Sequence, residues 1–270
     1  MITRCKFLSL SLFGLALSLA PISWAADEVK LPAKDKFHLF LLVGQSNMAG
    51  RGKVEAEDQK PHERVLMLNK EGAWVPAADP LHFDKSSAGV GLGKTFGKVI
   101  ADANPEITVG LIPCAVGGSP IDSWKPGVFY KATNSHPWDD AIRRAKLAQE
   151  KGVLKGMLWH QGESDSSAKS APAYGDKLQK LVGAFRQELQ ADVPFLVGQL
   201  GQYDDVPWDD NRKIVDQAHR DLAKQVKQAA FVPSDGLKHK GDKVHFDSAG
   251  LREFGKRYAD AYLKLAKANP

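Results

Sequence analysis

Phe37-His38-Leu39-Phe40-Leu41-Leu42-Val43-Gly44-Gln45-Ser46-Asn47-Met48-Ala49-Gly50 is the stretch that decides the fold. Its first seven residues are a continuous apolar run rather than an alternating one. That suits a strand buried on both faces, as in a parallel sheet. Gly44 stops the run, and a serine follows between glycines. Working outward, similar runs recur at 107–112, 153–159 and 195–200, with a weaker one at 229–232. Helical patterns separate them at 92–103, 138–150, 174–190 and 211–228, and a last one covers 248–268. Strands alternating with helices of this length read as βαβ units. The expected fold is therefore α/β, a three-layer α/β/α (flavodoxin-like) domain around a mostly parallel five-stranded sheet. Residues 64–68 and 74–75, joined through 69–72, read as an added hairpin.

The domain so defined spans 37–268. Before it, Arg4 and Lys6 precede an apolar run over 7–20 and then Ser23-Trp24-Ala25. This is the pattern of a secretory signal peptide over 1–25, too short in its apolar part for a spanning helix. Residues 26–36 read as a polar leader. The expectation is an exported protein, periplasmic or secreted, with no membrane partner after cleavage. Of 37 basic and 32 acidic residues, the signal carries two basic ones, so the mature net charge is 37 − 2 − 32 = +3. A charge this small without a basic tract excludes nucleic acid as a partner. Of the two cysteines, Cys5 leaves with the signal. Cys114 then stands alone, no internal disulfide is expected, and its position at a strand end suits a small buried residue.

Ligands of such sheets sit beyond the carboxyl ends of the strands, which directs attention to four loops. After the first strand, Ser46 lies in Gly44-Gln45-Ser46-Asn47-Met48-Ala49-Gly50-Arg51-Gly52. Flanking glycines permit the sharp turn of a nucleophile elbow, although a helix cap at Ser46 satisfies the same residues. After the second strand, Gly117-Gly118 let a backbone N–H approach a substrate oxygen. After the third, Trp159-His160-Gln161-Gly162-Glu163-Ser164-Asp165 offers an amide donor and carboxylates. His160, Glu163 and Asp165 have poor spacing for a metal, so no metal or other cofactor is expected. Near the end, Asp242-Lys243-Val244-His245-Phe246 precedes the last helix. An Asp three residues before a His can fix the tautomer that a serine needs, while Asp247 or Ser248 caps that helix.

Taken together, these loops resemble the blocks of the SGNH hydrolase superfamily. The resemblance is to the branch of carbohydrate esterase family six acetylxylan esterases and sialate O-acetylesterase-like domains, and it spans about 37–263. Gln161, where many members of the superfamily have Asn, follows the habit of this branch. The resemblance implies a serine esterase that removes acetyl groups from a carbohydrate through an acetyl-enzyme. Ser46 is then the nucleophile and His245 its base, with Asp242 as the orienting acid. The Ser46 N–H, the Gly118 N–H and the Gln161 amide form the oxyanion hole. Glu163 has a rival claim to be the acid, but the short turn favours Asp242 and leaves Glu163 to orient Gln161 or a neighbouring loop. Trp124, Tyr130, Trp138 and Trp208 are placed where aromatic faces can stack on sugars, although aromatic residues at such places are as often core packing. Arg51 reads either as a carboxylate ligand or as a surface ion pair. Two other functions fit the same fold: a lipase- or thioesterase-type SGNH hydrolase, and a non-catalytic carbohydrate-binding domain.

Overall fold

The computed structural model describes residues 29–268. The expected signal segment 1–25 and residues 26–28 of the leader lie outside the described residues. Val29 and Leu31 of the leader pack, partly buried, against the core before the chain enters its first strand.

In chain order the elements are β1 (Phe37–Gly44), α1 (Ser46–Ala49), β2 (Val65–Leu68), β3 (Trp74–Pro76), α2 (Gly93–Ala103) and β4 (Thr108–Pro113). They continue with α3 (Pro137–Gln149), β5 (Val153–His160), α4 (Tyr174–Leu189), β6 (Phe195–Gly198), α5 (Asp210–Gln225), β7 (Ala229–Val232) and α6 (Ser248–Ala268). The continuous apolar run of β1 has the expected cause. Phe37, Leu39, Leu41 and Val43 belong to one core, while Phe40 and Leu42 belong to the other. Each such side chain fully buried contributes about 1.5–3 kcal/mol. Trp138 of α3, Phe185 of α4 and Val215 of α5 close the first core. Phe96 of α2 and Phe254 and Tyr258 of α6 close the second. The result is three layers.

The sheet has seven strands, in the order β3-β2-β4-β1-β5-β6-β7, not the expected five. The hairpin pairs antiparallel as its loop suggests, with Leu66 opposite Pro76. Its first strand also runs parallel to β4, with Val65 opposite Val109. All four residues of β2 are buried, so its backbone groups need partners on both sides. The hairpin is therefore the edge of the main sheet. β1 lies between β4 and β5. The chain leaves β1 towards the β4 side and leaves β5 towards β6, so the carboxyl ends of β1 and β5 flank the topological switch point. Folds of this kind open their ligand crevice there.

Candidate active site

The turn after β1 rests on the end of β5. Gln45 donates its N–H to the His160 carbonyl at 2.8 Å. Gly44 adopts φ +126°, and a Cβ there would overlap the same carbonyl. Only glycine fits that left-handed, crowded position. Ser46 then opens α1 and is 6% exposed. The alternative of a helix cap at Ser46 fails, because the cap position belongs to Gln45, whose side chain makes no cap bond.

The Ser46 Oγ lies 2.9 Å from His245 Nε2, across 199 residues of sequence. His245 Nδ1 lies 2.7 Å from Asp242 Oδ2. A carboxylate only accepts, so Nδ1 carries the proton and Nε2 is left bare to accept from the serine. Asp242 Oδ1 also accepts the backbone N–H groups of Val244 (3.0 Å) and His245 (2.8 Å). Partial burial alone would raise the Asp242 pKa. Its hydrogen bonds from the His245 backbone and side chain and from Val244 outweigh that and hold it below the usual carboxylate range. Asp247 caps α6 by accepting from Gly250 N–H at 2.6 Å, and Ser248 Oγ donates to the Lys53 carbonyl at 2.7 Å.

The carboxylate on His245 Nδ1 is thus Asp242. Glu163 meets another side chain: its Oε1 accepts from Asn47 Nδ2 at 2.6 Å. Asn47 Nδ2 also donates to the Val244 carbonyl at 3.2 Å, and its Oδ1 accepts from Phe246 N–H at 3.1 Å. The residue after Ser46 therefore grips the backbone on both sides of His245, and Glu163 fixes that grip. Sequence reasoning missed Asn47, although it lies beside Ser46, because its partners are 116 to 199 residues away. His160 lies beneath, fully buried, and donates Nε2–H to the Gln199 carbonyl at 2.9 Å. Burial lowers its pKa and keeps it neutral.

Gly118, at φ +81°, has its carbonyl held by Tyr130 Oη–H (2.7 Å) and Ser164 Oγ–H (3.0 Å). The Gly117 N–H is held by Asp84 at 2.8 Å. The loop is thus fixed on both sides of the Gly117–Gly118 peptide. Gln161 is fully buried. Its Nε2 donates to Asp165 Oδ2 at 2.6 Å and approaches Gln45 Oε1 and the Ser119 carbonyl, both at 3.2 Å. Tyr174 Oη–H reaches its Oε1 at 3.0 Å. Both amide hydrogens of Gln161 are therefore engaged. Gln45 Oε1 also accepts from Ser164 N–H at 3.3 Å. No hydrogen bond among the described residues uses Gln45 Nε2, one residue from Ser46.

Several neighbours differ from expectation. Arg51 is neither a carboxylate ligand nor a surface pair. It forms a buried ion pair with Asp84 at 2.7 Å and donates to the Gly50 carbonyl. That pair stands behind the Gly117 loop. Trp124 and Trp138 are core residues at 1% and 5% exposure, packed on Trp159 and Phe185, so neither offers a face to a sugar. Trp208 does line an open cleft of about 510 Å³ with Tyr203, Asp204, Lys213 and Asp235. Its Nε1–H is tied to the Gly201 carbonyl at 2.9 Å. Tyr203 Oη–H donates to the Val244 carbonyl at 3.2 Å, which joins this cleft to the histidine turn. Burial pushes the Cys114 thiol up to about 11, so it is not a thiolate at neutral pH.

The profile of the family described as carbohydrate esterase, sialic acid-specific acetylesterase, matches residues 36–264. The chain belongs to this family. A probable carbohydrate esterase of Arabidopsis thaliana is 29% identical over 250 residues, covering 83% of this chain and 90% of that protein. The crystal structure of that Arabidopsis protein superposes with a TM-score of 0.74 at 28% identity, over 84% of this chain and 98% of that one. The structure of NanS has a TM-score of 0.71 at 18% identity, over 88% of this chain and 100% of that one. At that identity the likeness is one of fold. As a member of the sialic acid-specific acetylesterase family, the protein is an esterase that acts on acetylated sugars.

Proposed function

We propose that the protein removes O-acetyl groups from a carbohydrate of the acetylxylan or sialate type through an acetyl-enzyme on Ser46. The observation that carries this reading is the continuous relay from Ser46 Oγ through His245 to Asp242. His245 Nε2 takes the Ser46 proton as Oγ bonds to the acetyl carbon, and the carbonyl π electrons move to oxygen. The oxyanion collapses and breaks the bond to the sugar oxygen, which takes the proton from His245 Nε2. Water then adds to the acetyl-enzyme with the same base, releasing acetate and restoring Ser46.

The backbone N–H groups of Ser46 and Gly118 are the oxyanion donors, each worth roughly 3 kcal/mol of barrier. Gln161 was the third donor expected. Its engaged amide suits it to holding Gln45, Ser119 and Asp165 in place, and Gln45 Nε2 is the uncommitted amide beside the nucleophile. The sugar leaves on the His245 side, and the Tyr203–Trp208 cleft, tied to the histidine turn through Tyr203 and the Val244 carbonyl, is the candidate surface for the rest of the carbohydrate. Export through the segment 1–25 completes the reading, and N-terminal sequencing of the mature protein tests that part.

The main test is acetate release from acetylated xylan, acetylated sialic acid and simple sugar acetates. Ser46→Ala is expected to cut kcat by about ten-thousandfold or more, and brief mixing of wild type with substrate should leave one acetyl group on Ser46 by mass spectrometry. Turnover by Ser46→Ala at the wild-type rate removes Ser46 from the mechanism. A preference for octanoyl over acetyl esters turns the reading towards a lipase-type hydrolase.

A further inference from the structure

The turn that carries Asp242 and His245 is an exposed loop, yet nearly every backbone N–H in it has a named acceptor. Lys240 N–H goes to the His245 carbonyl at 2.9 Å, and Asp247 N–H to the Lys238 carbonyl at 2.9 Å. Val244 and His245 N–H go to Asp242, and Phe246 N–H goes to Asn47. Two others, Gly241 N–H (2.9 Å) and Lys243 N–H (3.3 Å), both converge on one atom, His239 Nδ1. His239 Nε2–H is donated to the Asp205 carboxylate at 3.1 Å. Its ring packs edge-on against Tyr203, with centroids 5.0 Å apart.

The two N–H groups that His239 accepts belong to the strained part of the turn. Gly241 lies at φ +107° and Lys243 at φ +63°. A non-glycine residue in the left-handed region is strained and persists only where its surroundings hold it. We propose that His239 is a positioning residue: as a neutral imidazole it holds the strained turn closed and so keeps Asp242 and His245 aligned on Ser46. It rests on the proposed roles of Ser46 and His245.

His239 touches neither Ser46 nor the reacting atoms, and it acts through the backbone of the turn. An Nδ1 that accepts two N–H groups has no place for a proton. Protonation there sets N–H against N–H and opens the turn. The groups facing His239 are Asp205 and the Tyr203 ring from the loop after β6, and Lys243, whose Nζ lies 3.9 Å from Asp205, from its own turn. Lys240 and Asp242, 3.6 Å apart, close the far side. The arrangement therefore needs His239 Nδ1 bare to accept from the turn, as it needs His245 Nε2 bare to accept from Ser46.

The test compares wild type, His239→Leu, His239→Asn and Ser46→Ala by direct assay of acetate from 4-nitrophenyl acetate across pH. Asn places an acceptor oxygen near the position of Nδ1 and carries no titrating proton, whereas Leu removes the acceptor. His239→Leu is expected to lower kcat by about 10- to 100-fold with KM within about twofold. His239→Asn should recover most of kcat near neutral pH. The inference is overturned if His239→Leu keeps kcat within twofold or if His239→Asn is no better than His239→Leu. Should His239→Leu fail to fold by circular dichroism, folded His239→Asn against wild type decides, and a kcat below a tenth of wild type overturns it. Turnover by Ser46→Ala sinks the nucleophile reading itself. A dead Ser46→Ala beside a fully active His239→Leu sinks only the role of His239.

Discussion

The serine and the histidine that face each other across the crevice are held in opposite ways. Ser46 lies on a turn built into the sheet, with Gly44 and Gln45 packed on the end of β5. Beneath it runs a buried set of Gln161, Asp165, Tyr174 and His219. Its position is set by close packing, which tolerates little displacement. His245 lies on an exposed turn anchored in the core by its neighbour Phe246, and the imidazole itself is set by polar clamps from Asp242, Asn47 and Tyr203. The contrast teaches that one catalytic distance of 2.9 Å depends on two kinds of order. A change on the serine side should register first as lost stability. One on the histidine side should register first as lost rate with the fold intact.

The sharpest attempt to break this contrast is Asp242→Ala. It should lower kcat by about 10³- to 10⁴-fold while the melting temperature stays near wild type, since the imidazole loses its tautomer but no core is opened. Gly44→Ala should do the reverse, costing about 3 kcal/mol or more in denaturant unfolding, because a Cβ meets backbone at a left-handed position. Glu163→Gln loosens Asn47 without touching His245, so a drop in kcat of about tenfold is expected. If Glu163→Gln costs as much as Asp242→Ala, the two carboxylates have been assigned the wrong way round.

The smallest effect is one of pH on stability. Burial lowers His219 to about 3 and His82 to about 4, and lowers His160 as well. These rings are neutral when folded and take up protons near 6.5 when unfolded. Their contribution to stability is therefore complete above about pH 6.5 and is lost as pH falls towards 4. Melting curves should move down by several degrees between pH 7 and pH 5, and less so in His219→Gln.

The serine side was also the more legible in the sequence. A run that is apolar at every position, stopped by glycine, announces both a buried strand and the turn after it. Continuous apolar runs and helical patterns placed five strands and all the long helices close to where they lie. The strand count failed at 65–68, because four apolar residues beside a turn look the same in a free hairpin and at the edge of a main sheet. For Trp124 and Trp138 the sequence left stacking and packing open, because nearness to the sheet edge in sequence does not give burial, and the structure settles on packing. Arg51 could not be read without Asp84, 33 residues away. On the histidine side, Asp242 was legible from the three-residue spacing to His245. Asn47, Tyr203 and Asp205 were not, since each reaches the turn from another part of the chain.

The 199-residue separation of Ser46 and His245 in sequence also imposes a schedule. The segment after Ser46 waits for the start of α6: Arg252 pairs with Glu55 and Asp58, Ser248 bonds the Lys53 carbonyl, and Phe246 docks on Asn47. A growing chain carries Ser46 from early in synthesis but gains the 2.9 Å contact with His245 only when the turn before α6 has been made and docked.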